Sequence, residues 1–97
     1  MRIIARSTLR EFWLKHLDAE QPLRAWFLEA NKADWATPAD IKEQYGNASI
    51  LEDNRVVFNI KGNTYRLVVK FNYPHRVGYI RFIGTHREYD KTNVGEV

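Results

Sequence analysis

No cysteine occurs among the 97 residues. Disulfides and thiolate metal sites are therefore excluded, and a reducing cytoplasm is the expected compartment. No apolar run approaches the length of a membrane span, so no membrane partner is expected. The opening stretch MRIIARSTLREFW is interrupted by charges and does not read as a signal peptide. Three prolines and five glycines are too few for a low-complexity segment, and neither a linker nor an internal repeat is visible. A glycine-rich phosphate loop is missing as well: KGN reads as a hairpin, and IGT holds one glycine. His75 and His86 stand eleven apart with no cysteine to assist them, so neither metal nor cofactor is expected. Ser7 and Ser49 have no neighbouring base motif, which argues against a serine nucleophile.

What is present describes a folded chain. Apolar residues make up 44% and aromatics 13%, well away from the composition of disordered segments. The length suits one domain, residues 1–97, with a real core but little stability to spare. The net charge of +3 is unevenly spread. Residues 1–53 carry seven Lys/Arg against nine Asp/Glu, and residues 54–97 carry eight against three. A basic second half suits an anionic partner such as nucleic acid. It also suits an ordinary solvated face, and charge alone does not choose between them.

The hydrophobic period divides the chain. MRIIA reads as a first strand. Leu9, Phe12, Trp13, Leu14 and Leu17 fall near helical spacing, with Thr8 and Glu11 in capping-box relation at the start. Pro22 suits the first turn of a second helix, which carries Leu23, Trp26, Phe27 and Ala30 toward a core. A third helix starts at Thr37 as N-cap with Pro38 and Asp40 in its first turn, and Gly46 serves as its stop. After residue 49 the pattern alternates. RVVFNI, TYRLVVKF and VGYIRFI read as three strands, joined by KGN and by NYPHR. Segregated helices and strands predict an α+β fold: an N-terminal strand, two to three helices, then an antiparallel three-stranded meander. The EYD segment can begin a short last helix or strand, and the final residues read as frayed.

Alternation also assigns faces. It places Leu67, Val69, Ile80 and Phe82 under the helices. Arg66, Lys70, Tyr79 and Arg81 then gather on the opposite side, with Lys61 at the hairpin and Asn59 joining them. Like charges on neighbouring strands repel, so a cluster of this kind fits a phosphate chain contacted by Arg, Lys and neutral donors together. The plain alternative is a solvated polar face, common in antiparallel sheets.

Beyond the last strand, GTHREYD crowds Thr85, His86, Arg87, Glu88, Tyr89 and Asp90 into consecutive positions. Cleavage of RNA through its own 2′-hydroxyl needs a base, an acid and fixed cations, and strictly no metal. His86 and Tyr89 supply acid–base groups, Arg66, Arg81, Lys61 and Lys70 supply cations, and Asp90 can orient His86. The plain reading makes His86 a surface residue and Glu88 and Asp90 turn or cap residues. His16, in the first helix, and His75, in a turn, read as structural or solvated.

VFNIKGN.YRL, YIRFIGTH and EYDK together resemble the HigB toxin family of bacterial type II toxin–antitoxin systems, which is similar to the wider RelE-like toxins. The likeness reaches TPADIKEQYGNASIL and the N-terminal strand and helix, and so covers most of the chain. It implies a single RelE-like domain and a metal-independent endoribonuclease (an mRNA interferase) acting on the translating ribosome. It further implies inhibition by a HigA-type antitoxin with a helix-turn-helix, and operator DNA bound only through that complex. Carried over by motif, the catalytic set is His86, Tyr89, Arg66 and Arg81, and the RNA-binding set takes Lys61, Asn59, Asn63 and Asp90, to which the sheet-face reading adds Lys70 and Tyr79. Two other readings stay open at this stage. One is a non-catalytic nucleic-acid-binding module, with Tyr73, Tyr79 and Tyr89 for stacking. The other is a toxin of the same fold that acts on a protein target.

Overall fold

A computed structural model describes residues 1–97. The chain runs β1 (Arg2–Ile4), α1 (Arg6–Lys15), a 3-10 turn (Leu17–Ala19), α2 (Glu20–Lys32), α3 (Pro38–Gln44), β2 (Ser49–Ile50), β3 (Arg55–Ile60), β4 (Tyr65–Asn72), β5 (Val77–Thr85) and α4 (His86–Asp90). This is the expected α+β class. The sheet has five strands in the order β1-β5-β4-β3-β2. The meander β3-β4-β5 is antiparallel, β2 adds a short antiparallel edge, and β1 pairs in parallel with β5. The two-residue β2 is too short for any periodicity to reveal.

Helix geometry follows from residue spacing. Leu9 and Trp13 on α1, and Leu23, Trp26 and Ala30 on α2, lie on single stripes and are buried. They meet Val56, Phe58, Ile60, Leu67, Val69, Phe71 and Ile80 from the sheet in one core. Phe58 sits at its centre, with ring centroids 5.2 Å from Trp26, 5.3 Å from Tyr45 and 6.3 Å from both Trp35 and Phe71. The start of α3 is as expected: the Thr37 side chain accepts from the Asp40 amide, and Asp40 accepts from the Thr37 amide, with Pro38 at the first turn. This is a reciprocal capping box.

Three expectations are corrected. Thr8 and Glu11 form no capping box. Helix α1 starts earlier, at Arg6, behind Ala5 in a left-handed conformation (φ 73°) with no side-chain cap. Next, β5 carries one residue more than its partner. Val69 faces Ile80 and Val68 faces Phe82, leaving Arg81 unpaired in a β-bulge. The bulge swaps the faces beyond it: Ile83 packs toward the core and Phe82 turns to the opposite side, the reverse of simple alternation. Finally, the face away from the helices is not open polar surface. Val57 and Val68 on that face are buried. The chain after α4 returns across it until Arg55 donates two hydrogen bonds, at 3.0 and 2.7 Å, to Val97 O. The last residues are thus held rather than frayed.

Candidate active site

The β4–β5 ladder builds the site. Arg66 pairs with Gly84 on β5 and with Asn59 on β3. Two residues past Gly84 the chain enters α4, so Arg66 lies beside the start of that helix. Its guanidinium stands over the Tyr89 ring at 5.8 Å and donates to Asn63 O at 3.1 Å. Tyr89 also packs near Phe82, with centroids 6.4 Å apart. Within α4, His86 Nδ1 lies 3.1 Å from Asp90 Oδ2, and both side chains are about half exposed. The His86 amide donates to Thr64 O, which ties α4 to the β3–β4 hairpin. His86, Tyr89, Asp90, Arg66 and Asn63 therefore share one end of the sheet; Asn59 pairs in register with Arg66, but its side-chain amide donates to Asn47 O at 3.3 Å, toward the loop before β2.

What fixes α4 is a capping box that the sequence reading did not single out. The Thr85 hydroxyl accepts from the Glu88 amide at 3.1 Å, and Glu88 accepts from the Thr85 amide at 2.8 Å. That backbone donor holds the Glu88 carboxyl below its usual range, and the Thr85 hydroxyl adds to the effect. The T-x-x-E pattern at 85–88 was legible as a start signal. Gly84 matters for a different reason. A Cβ there would lie 2.6 Å from Phe82 Cζ, so glycine lets the Phe82 ring slide against the strand and support Tyr89.

The remaining candidates separate. Lys70, Tyr79 and Arg81 line a groove of about 620 Å³ with Asn54, Asn72 and Pro74. Lys70 pairs with Tyr79 across the ladder, and Arg81, two residues past Tyr79 and at the bulge, lines the same groove. Four residues along β4 separate Lys70 from Arg66, roughly 13 Å at strand rise. Asp53 bonds to Lys70 at 3.2 Å and to Arg55 at 2.7 Å, and these partners hold its carboxyl below the usual range. Lys61 does not join either group. It sits in the hairpin with positive φ, and its ammonium reaches Asp18 of the 3-10 turn at 2.5 Å. Asp18 also accepts from the Tyr65 hydroxyl. Lys61 and then Tyr65 lower the Asp18 carboxyl, while the same carboxylate pushes Tyr65 up to about 12. Tyr73, a candidate for base stacking, is buried. His16 stacks on Phe12 at 4.3 Å and meets Tyr65 edge-on at 5.6 Å, which gives it a packing role.

The sheet end thus presents an imidazole next to a carboxylate, a phenol under a guanidinium, and amide donors at the hairpin. The neighbouring groove adds two further cations and an exposed aromatic ring. Such a set can move protons and neutralise growing phosphoryl charge. Comparison with known families bears on whose site this is. Residues 19–92 match the family model of the HigB toxin, the RelE-like toxic component of a toxin–antitoxin system. The chain belongs to the HigB toxin family. Over 93 residues it is also 23% identical to a protein of Escherichia coli O6:H1 named mRNA interferase HigB, covering 94% of this chain and 90% of that one. Membership in the HigB family implies an antitoxin partner and an RNA target. No helix of the chain is long and apolar enough to cross a membrane.

Proposed function

We propose that this HigB-family chain is an endoribonuclease that cuts messenger RNA on the translating ribosome and is neutralised by a HigA-type helix-turn-helix antitoxin. The observation that carries the reading is the meeting of Arg66 with Tyr89, 5.8 Å apart, on the same short helix that pairs His86 with Asp90. In the proposed step a base removes the 2′-hydroxyl proton, and that oxygen attacks the adjacent phosphorus. The bond to the 5′-oxygen breaks, and an acid returns a proton to the leaving oxygen. The products are a 2′,3′-cyclic phosphate and a 5′-hydroxyl. His86 and Tyr89 share the acid and base roles, with Asp90 holding the imidazole. Arg66 neutralises charge on the phosphoryl oxygens, and Arg81 does so from the groove side. Lys70 and Tyr79 hold the flanking nucleotides there, Asn63 offers a neutral donor at the hairpin, and Asn59 contributes from β3 with the amide hydrogen that Asn47 O does not take. Lys61 binds RNA only after leaving Asp18.

The test maps cut sites in translating and non-translating message. Arg66→Ala should slow cleavage by about 100- to 1,000-fold, the usual cost of removing one charge-stabilising donor. His86→Ala should slow it by roughly 100- to 10,000-fold. Both variants should fold as the parent does, since neither side chain is buried. Undiminished cutting by either one removes the assignment. Growth arrest with intact RNA points instead to a protein target, and no toxicity at all to a binding module.

A further inference from the structure

The helical side of the molecule carries a second constellation. Helices α1 and α2 run antiparallel, so the start of one meets the end of the other. Arg6, at the start of α1, lies over the Phe27 ring at 4.7 Å, and Arg24, early in α2, lies over the Trp13 ring at 4.8 Å. Between the helices are two depressions that share walls. One, about 310 Å³, is lined by Arg6, Arg10, Arg24 and Trp13 with Ser7. The other, about 90 Å³, is apolar and reaches Phe27 and Leu28.

The cations here are not explained by the fold. Arg6 and Arg10 make no ion pair, and Arg24 pairs only with Glu20 at 2.8 Å. The two α1 arginines sit one turn apart near the positive end of the helix dipole, and no acid occupies the first turn. Both arrangements disfavour the folded helix. Stacking on the rings holds the Arg6 and Arg24 guanidinium planes in place and leaves their N–H edges free for paired oxygens.

Phosphates and carboxylates both fit those edges. The neighbouring apolar residues decide between them. The outward ridge of α1 reads Arg6, Arg10, Leu14, and that of α2 reads Arg24, Leu28. Leu14 is 62% exposed and Leu28 59% exposed. A phosphate chain gives those leucines nothing to pack against. An amphipathic helix bearing carboxylates satisfies the arginines and covers the leucines together, in the helix-in-groove manner.

We propose that the α1–α2 groove is the docking site for an acidic amphipathic helix of the antitoxin. This rests on the reading above that an antitoxin neutralises the chain. The full-length toxin carrying Arg6→Glu and Arg10→Glu together is titrated calorimetrically with the purified antitoxin at low and high salt. Leu28→Asp, a separate change on the other helix, is tested beside it. Affinity should fall by about 100-fold or more in the charge-reversed variant, and Leu28→Asp should move it in the same direction. RNA cleavage should stay at the parental value, the melting temperature should not fall in the charge-reversed variant, since acids replace cations at the positive end of α1, and parental affinity should weaken with salt. Antitoxin binding that survives both changes overturns the proposal. So does a loss of ribosome binding with antitoxin affinity intact, which would make this face an RNA contact. A parental toxin that binds no antitoxin at all removes the partner reading itself.

Discussion

Glu88 does its work through the backbone. Its carboxylate closes the box that starts α4, and α4 carries His86, Tyr89 and Asp90. Because its folded pKa is depressed, its contribution is complete above the ordinary glutamate value of 4.5 and is lost as pH falls through the lower folded value. Helix α4 should therefore fray in acid before the core does. Amide chemical shifts of Thr85 and His86 followed against pH should show a local transition below 4.5, ahead of global unfolding. Thr85→Ala removes the other half of the box and should cost about 1 kcal/mol, the usual value for an N-cap. A five-residue helix has no length to absorb that loss, so cleavage should drop with little change in melting temperature.

Among the elements, β5 is the one that sequence pattern describes least well. Its existence and place in the meander were legible from VGYIRFI, and so was the cap of α3; the pairing of Arg66 with Gly84 was not. Nor were the faces of Phe82 and Ile83. Alternation assumes an unbroken pleat, and a single unpaired residue at Arg81 inverts everything after it. Lys61 stands at the hairpin as the sequence implied, but its ion pair was not legible: its partner, Asp18, lies 43 positions away, beyond any local pattern. The bulge also sets a testable dependence. Gly84→Ala would push a methyl group into the Phe82 ring, and such overpacking costs about 1–3 kcal/mol. The Tyr89 ring should shift by NMR, and cleavage should fall. Adding Phe82→Leu should restore both, an interaction that a double-mutant cycle can measure.

At the scale of the whole molecule, one aromatic centre joins helices to sheet. Phe58 is 1% exposed and meets Trp26, Trp35, Tyr45 and Phe71. Phe58→Ala should cost about 3–5 kcal/mol. A domain of this size holds only about 5–15 kcal/mol in total. Denaturant unfolding should place the variant close to the edge of folding, with activity lost through stability rather than chemistry. The predicted α+β order survives at this scale because it depends on averages over many residues. The covering of the far sheet face did not show in the sequence, since the 42-residue separation of Arg55 and Val97 leaves no periodic trace.

The parallel seam between β1 and β5 has a consequence for how the chain is born. Residues 2–4 precede their partners, residues 77–79, by 75 positions. Contacts of such separation form late and slow the search for the native state. During synthesis the opening strand therefore waits, unseated, while the helices and the β3–β4 hairpin gather around Phe58. Helix α4, with its imidazole and phenol, is made only after that seat exists. The seam and α4 thus depend on the same strand: whatever delays the seating of β5 delays both.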